Sequence, residues 1–313
     1  MKIGWTGNLY FLAFDHRGTF YRELFGIDGD PTAEEVERIA SAKRVVYDGA
    51  VRVLESGVVG PGELGILVDE QSGSGIARDA HVRGLRLAMP AELSGQAMFT
   101  FQYGDEFGDH IAGFDADFTK VLVRHNPGGD AHGNRVQLER LRTLADWLHE
   151  HDRRFLFELV VPPTDAQLAD VGGDSARYDV ELRPGLMLEA MREVHAAGIE
   201  VDVWKIEGLD DRADAEALAA QARSGPGREH VVCVLLGRGA GNDVVDHWLR
   251  EAAVTDGFAG FAIGRSIWWD ALKAHVDGEL DREQAASTIA DRFARFIDVY
   301  TAAEAAGAPA PAA

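Results

Sequence analysis

The chain has 313 residues, of which 46% are hydrophobic and 27% charged, a composition typical of a soluble globular protein with a sizeable core. Its formal net charge of -21 at pH 7 argues against nucleic acid and anionic membranes as partners. It leaves room for a phosphorylated small molecule, because a local arginine pocket can override the overall field.

The only cysteine, Cys233, lies in an apolar run and is predicted to be a buried structural residue. No stretch approaches the 18 apolar residues of a membrane-spanning helix. The N-terminus shows no signal-peptide pattern, and we therefore expect a cytoplasmic protein.

Short strand-like runs alternate with helical patterns along the whole chain. Eight strands are predicted, at residues 9–15, 64–70, 85–93, 119–126, 155–162, 201–207, 231–237 and 260–267. The helical patterns cover residues 32–56, 75–83, 135–151, 183–197, 211–223, 243–253 and 282–300. This alternation predicts the α/β class and a single (β/α)8 TIM barrel over residues 1–305. A disordered tail rich in Ala and Pro is predicted at 306–313, and the segment 94–118 fits no element clearly.

Lysine is rare in this chain, and two lysines occur in unexpected places. The five are Lys2, Lys43, Lys120, Lys205 and Lys273. Lys120 and Lys205 lie inside apolar strand-like runs, where an ammonium group needs a partner or a chemical role. We predict that Lys205 is an amine nucleophile that forms a Schiff base with a carbonyl substrate.

Strands four, five and six carry Lys120, Glu158 and Lys205, and catalytic residues of such barrels lie at the C-terminal ends of strands. A second ammonium group and burial both lower a lysine pKa from about 10.4. Glu158 can then move the protons that Schiff-base chemistry requires. The alternative is a buried Lys–Glu pair that only orders the barrel, and for Lys120 the two interpretations weigh equally.

Glycine-rich turns follow the last two strands and are predicted to bind phosphate. Gly237, Arg238 and Gly239 precede a helix, and Gly264 and Arg265 follow the eighth strand. Backbone amides at such positions, together with a helix N-terminus, attract anions, and this is the usual phosphate site of TIM barrels. The alternative is a pair of tight turns with solvated arginines.

Polar residues at other strand ends are predicted to bind substrate: Asp15, Arg17, Asp69, Glu70, Arg124 and Glu207. Asp15 either pairs with Arg17 or binds substrate hydroxyls, and Arg124 or Arg78 is a candidate for a substrate carboxylate. The acids, together with Glu158, leave a metal-dependent lyase as an alternative. No paired-histidine motif lies at a strand end, so we expect no metal and no cofactor.

Several of these features resemble the class I tagatose-1,6-bisphosphate aldolase family, namely residues 12–18, 68–70, Lys120, 157–159 and 203–207. The resemblance implies a carbon–carbon lyase in which Lys205 forms the Schiff base and Lys120 and Glu158 assist it. It also implies a homo-oligomer.

From about residue 9 to residue 300 the chain is similar to an uncharacterised bacterial domain of the same superfamily. The matching stretches are residues 69–71, 94–96, 120–124, 178–184, 204–208 and 237–240. That domain also occurs fused behind 5-dehydro-2-deoxygluconokinase, the sugar kinase of myo-inositol breakdown, a half that is absent here. The fusion implies a substrate, 2-deoxy-5-keto-gluconate 6-phosphate, cleaved to dihydroxyacetone phosphate and malonic semialdehyde. A non-catalytic sugar-phosphate binding protein remains a further alternative.

Overall fold

A closed barrel of eight parallel strands forms the centre of the molecule in the computed structural model, which describes residues 2–60 and 62–307. The strands are β1 (Leu9–Ala13), β2 (Leu64–Leu67), β3 (Arg86–Pro90), β4 (Phe118–Arg124), β5 (Arg154–Val160), β6 (Val203–Glu207), β7 (Val232–Leu236) and β8 (Phe258–Ile263). They follow one another around the barrel in chain order, and β8 pairs with β1. The predicted (β/α)8 class is confirmed.

Helices surround the barrel, and all seven that the sequence predicts are present. The helices are α1 (Gly18–Phe25), α2 (Ala33–Ser56), α3 (Glu70–Arg83), α4 (Phe107–Phe114), α5 (Ala131–Glu150), α6 (Asp165–Asp170), α7 (Ser175–Glu181), α8 (Arg183–Ala196), α9 (Arg212–Ala222), α10 (Asn242–Ala253), α11 (Arg265–Val276) and α12 (Arg282–Gly307). A short 3-10 helix, Gly104–Glu106, precedes α4. Helix α2 begins as predicted because Thr32 and Glu35 cap each other reciprocally.

Five helices, α1, α4, α6, α7 and α11, were not predicted from the sequence. Helix α4 lies in the unassigned segment 94–118. Helix α11 begins at Arg265, whereas the eighth strand was predicted to continue to residue 267. The apolar run across this point fits a strand and a helix equally well by periodicity, and the chain changes from one to the other at Gly264.

The barrel interior changes from apolar to charged along three adjacent strands. Side chains of a strand alternate between its two faces, so residues two apart share the interior. The lower interior positions are Phe118, Leu156 and Val203, which belong to one buried apolar cluster. Two residues further along the same strands are Lys120, Glu158 and Lys205. The apolar layer closes the barrel beneath the charged one, so the charged side chains face its C-terminal mouth.

The outer layer and the C-terminus complete the domain. Cys233 is buried, as predicted, and burial raises the pKa of its thiol to about 12. Helix α12 continues to Gly307, so residues 306 and 307 of the predicted tail are helical, and residues 308–313 lie outside the described residues. In the described residues, no helix has both the length and the apolar character needed to span a bilayer.

Candidate active site

A cavity of about 370 Å3 opens at the C-terminal ends of the strands. Every residue predicted for catalysis or phosphate binding lines it, as do three of the six predicted to bind substrate. These residues are Lys120, Glu158, Lys205, Gly237, Arg238, Gly239, Gly264, Arg265, Asp15, Arg17 and Arg124. The strand ends that the sequence placed at the mouth of one barrel therefore converge on a single space.

A continuous chain of ion pairs crosses the floor of this cavity. Lys205 Nζ lies 3.0 Å from Glu158 Oε1, and Glu158 Oε2 lies 3.0 Å from Lys120 Nζ. Lys120 Nζ also contacts Asp15 Oδ2 at 2.9 Å and Glu92 Oε1 at 2.9 Å. All five residues are less than a tenth exposed. Lys120 therefore has three carboxylate partners, whereas Lys205 contacts only Glu158 among the charged groups described.

The carboxylates around Lys120 favour its charged form. Burial acts to lower its pKa, but the carboxylates of Asp15, Glu158 and Glu92 together raise it well above the ordinary lysine value. The sequence does not show that three carboxylates meet this residue. Lys120 is therefore held as an ammonium ion by these carboxylates and lies at the centre of the cluster.

The three carboxyl groups around Lys120 differ in their pKa. Burial opposes ionisation of each, but Lys120 lowers the pKa of Asp15 well below its usual range. Lys120 and Lys205 together also lower that of Glu158. For Glu92 burial outweighs the nearby cations and its pKa is raised. One buried carboxyl of the cavity is thus more basic than an ordinary glutamate, and the other two are less basic.

Glu92 was not among the predicted site residues. It lies two residues beyond the end of β3 and pairs with Phe101 in an isolated antiparallel bridge, which turns this segment towards the cavity. The sequence offered one signal for it. Glu92 lies near the end of the third predicted strand, just as the predicted site residues lie near the ends of their strands. The bridge to Phe101 lies in the unassigned segment, so the sequence did not reveal the turn.

The loop after β1 is held by contacts that were also not predicted. Arg17 pairs with Glu92 at 3.2 Å and with Gln102 at 3.1 Å, so the Asp15–Arg17 pair considered above does not form. Beneath the loop, the fully buried Lys43 donates to the carbonyl of His16 at 3.0 Å and pairs with Asp69. Helix α2 thus fixes the ends of both β1 and β2.

Three residues predicted to bind substrate lie outside the cavity lining. Asp69 caps helix α3 and pairs with Lys43. Glu70 is 2.9 Å from His110 Nδ1, beside a separate small pocket, and Glu207 is 2.9 Å from Arg238 Nε. Each of these acids already has a partner. Among the described residues, no group of three or more His, Cys, Asp or Glu side chains is arranged to hold a metal ion.

The glycine-rich turns after β7 and β8 form one wall of the cavity. Gly239 has a left-handed backbone, with φ of 69°, and so does Arg238 before it. A Cβ atom on Gly264 would lie 2.3 Å from the carbonyl oxygen of Ala13, so only glycine permits this close contact with β1. Helix α11 starts here, and the first N–H groups of a helix have no acceptor within it. The rim therefore presents amides and a partial positive charge to an anion.

The arginines of this wall are already engaged. Arg238 pairs with Asp179 at 2.8 Å as well as with Glu207. Arg265 pairs with Glu23 at 2.6 Å and stacks on Trp269 at 3.9 Å from the ring centre. Both guanidinium groups of these two turns are therefore paired with acidic residues of the protein.

Two other arginines face the mouth of the cavity. Arg22 of α1, which was not predicted, lines the cavity and has no ion-pair partner in the described part of the chain. Arg124 is exposed and donates to the carbonyl of Gln96 at 3.1 Å. Arg78 is not in the lining and lies over the ring of Phe114. Among the described residues that line the cavity, Arg22 and Arg124 are therefore the arginines without an ion-pair partner.

A model of one protein family matches residues 4–304, and its description is "Uncharacterized protein conserved in bacteria (DUF2090)". No curated protein matches the sequence.

Solved structures share the fold at low sequence identity. A Plasmodium falciparum fructose-bisphosphate aldolase, solved with TRAP and a small-molecule inhibitor, superposes with a TM-score of 0.65 and 12% identity over 94% of this chain and 91% of that one. A protein from Corynebacterium glutamicum gives 0.58 and 15%, over 95% and 88%. An archaeal fructose 1,6-bisphosphate aldolase gives 0.55 and 14%, over 92% and 94%. The barrel is thus one that aldolases also use.

Proposed function

We propose that this chain, which belongs to the DUF2090 family of bacterial proteins, is a Schiff-base aldolase that cleaves a phosphorylated ketose or keto-sugar acid. The observation that carries the proposal is the contact between Lys205 and Glu158, 3.0 Å long, on the floor of the barrel cavity. A buried amine next to a proton carrier, in a cavity rimmed by anion-binding turns, suits covalent catalysis on a sugar phosphate.

The contacts favour Lys205 over Lys120 as the nucleophile. Lys120 is held as an ammonium ion by three carboxylates, and an ammonium group has no lone pair with which to attack a ketone. Lys205 needs to leave only one ion pair, and its partner Glu158 can receive the proton. Lys120 then has a supporting role, because it holds the second oxygen of Glu158 in place.

The reaction proceeds through an iminium ion. The Lys205 amine attacks the ketone, and Glu158 transfers the protons that convert the carbinolamine to the iminium with loss of water. When the bond between the α- and β-carbons breaks, its electron pair moves towards the iminium nitrogen and leaves an enamine. The hydroxyl on the β-carbon loses its proton and becomes the carbonyl of the departing aldehyde. Protonation of the enamine and hydrolysis then release the ketone product.

The cavity suits a substrate with two anionic ends. Its volume of about 370 Å3 is within the usual range for small-molecule sites. The amides at Gly237–Gly239 and the start of α11 bind the phosphate, and Arg22 or Arg124 meets a carboxylate. The sequence resemblance favours 2-deoxy-5-keto-gluconate 6-phosphate, with dihydroxyacetone phosphate and malonic semialdehyde as products.

Borohydride trapping tests the nucleophile. The protein is incubated with dihydroxyacetone phosphate, reduced, and mapped by mass spectrometry, and the adduct is expected on Lys205. Lys205→Met should form no adduct and show no cleavage while remaining folded by circular dichroism. Lys273→Met, which removes an exposed lysine of α11, is the control and should behave as the wild type.

Other outcomes of the trapping have clear meanings. An adduct on Lys120 would show that the nucleophile is this lysine of β4 and not Lys205. Full cleavage by Lys205→Met would refute the proposal. Tight binding of dihydroxyacetone phosphate with neither adduct nor turnover would favour a sugar-phosphate binding protein.

A further inference from the structure

We propose that Glu92 is a second catalytic residue, which accepts the proton of the substrate's β-hydroxyl during cleavage and returns it to the enamine carbon. This inference rests on the proposed Schiff-base function and adds a residue that neither the sequence motifs nor the resemblance assigned.

Glu92 lines the cavity, and it combines burial with an unpaired carboxylate oxygen. Glu92 as a whole is 7% exposed, and its Oε1 accepts from Lys120 at 2.9 Å and from Arg17 at 3.2 Å. Among the described residues its other oxygen, Oε2, has no hydrogen-bond partner, and neither does Arg17 Nε. Buried polar atoms are nearly always paired, so an orphaned acceptor and an orphaned donor on residues that line one cavity point to a ligand that pairs them.

The position of Glu92 complements that of Glu158. Glu158 contacts the nucleophile directly, whereas Glu92 is separated from Glu158 by the ammonium group of Lys120. The β-hydroxyl is three bonds away from the carbon that Lys205 attacks. The group that takes its proton must therefore lie further across the cavity than the group that serves the carbinolamine, and Glu92 satisfies this requirement.

The electron and proton balance closes without another reactant. Glu92 Oε2 takes the hydroxyl proton, and the O–H electron pair forms the C=O bond of the aldehyde. The broken C–C bond supplies the C=C bond of the enamine, and the iminium nitrogen becomes neutral. After the aldehyde leaves, Glu92 gives the same proton to the enamine carbon and the iminium is restored.

The carboxyl groups of the cavity differ in basicity in the way this role requires. Burial raises the pKa of Glu92, which makes its carboxylate a stronger base than those of Asp15 and Glu158. Environments that separate the pKa values of neighbouring carboxyls are typical of acid–base sites. Asp15 is better suited to stay charged beside Lys120.

Proton exchange into dihydroxyacetone phosphate tests this role without knowledge of the aldehyde partner. In D2O, the wild type should exchange one hydrogen on the hydroxymethyl carbon of dihydroxyacetone phosphate for deuterium. NMR measures the rate of this exchange. Glu92→Gln keeps the shape and one acceptor oxygen, so it should form the Lys205 adduct as fully as the wild type. Its exchange rate should fall by about 100-fold or more, the range expected for loss of a general base.

Further variants separate a chemical role from a structural one. Glu92→Asp retains the charge that Lys120 and Arg17 contact, and it should exchange faster than Glu92→Gln. The wild-type exchange rate should rise with pH through the raised pKa of Glu92, and this rise should be absent in Glu92→Gln. Glu200→Gln is the control, because it breaks an ion pair with Arg228 away from the cavity and should leave exchange unchanged.

The outcomes distinguish this inference from the proposed function. Exchange by Glu92→Gln within threefold of the wild type would overturn the role of Glu92 alone. Loss of the adduct in a folded Glu92→Gln would overturn it too, since Glu92 would then act before cleavage. Equal rates for Glu92→Asp and Glu92→Gln would also count against it. A wild type that forms no adduct at all would overturn both proposals.

Discussion

The buried ion pair of Lys43 and Asp69 gives a prediction about the stability of the fold rather than about catalysis. Lys43 is 0% exposed and Asp69 1% exposed, and their charges are joined beneath the loop that carries Asp15. Lys43→Met keeps most of the side-chain volume but removes the ammonium group. Asp69 then keeps only the N–H and O–H groups of Ser72, each at 2.9 Å, as hydrogen-bond donors.

The expected cost follows from the unpaired charge. Removal of one partner of a buried ion pair costs about 3–5 kcal/mol, because the remaining charge stays out of water. At about 2 °C per kcal/mol for a chain of this size, the Tm should fall by roughly 6–10 °C. The double variant Lys43→Met/Asp69→Asn removes both charges and should regain about 1–3 kcal/mol relative to Lys43→Met.

The assay is chemical denaturation with calorimetry of the same samples. Lys273→Met serves as the control, since it breaks an exposed pair with Asp277 and should cost less than about 1 kcal/mol. A loss below about 1 kcal/mol for Lys43→Met would show that Asp69 is not left buried and charged. A double variant no more stable than Lys43→Met would refute the ion-pair account of this contact.

Two further predictions concern the cavity rim. Burial lowers the pKa of His16 to about 4 in the folded chain, below its value of 6.5 when unfolded. The unfolded chain therefore binds a proton that the folded chain does not, and the wild type loses stability as the pH falls from 6.5 to 4. In His16→Asn this loss of stability should be smaller by up to about 2 kcal/mol, measured by denaturation at each pH. Gly264→Ala places a Cβ atom against the Ala13 carbonyl and should cost about 1–3 kcal/mol and weaken inorganic phosphate binding by calorimetry. Gly75→Ala, in open space on α3, should be neutral or slightly stabilising, and equal effects of the two glycine variants would contradict the steric argument.

Local patterns were sufficient to predict the barrel and the position of Lys205 on its inner face. Periodicity distinguishes strands from helices, and alternation along strands places Lys120, Glu158 and Lys205 on the same inner face, each two residues after an apolar one. Glycine-rich turns at the seventh and eighth strand ends are equally local signals. These features depend on neighbouring residues only, and the structure brings them together at one cavity.

Only the closed barrel decided which charges meet. Lys120 and Asp15 are 105 positions apart, and the sequence does not show that Asp15 and Glu92 join Glu158 around Lys120 and so keep it an ammonium ion. The ion pair of Lys43 could not be predicted for the same reason, because its partner Asp69 follows β2 in another part of the chain. Periodicity reports the face on which a side chain lies. The partner that a long side chain reaches, and hence its charge state, depends on which strand ends the closed barrel brings together.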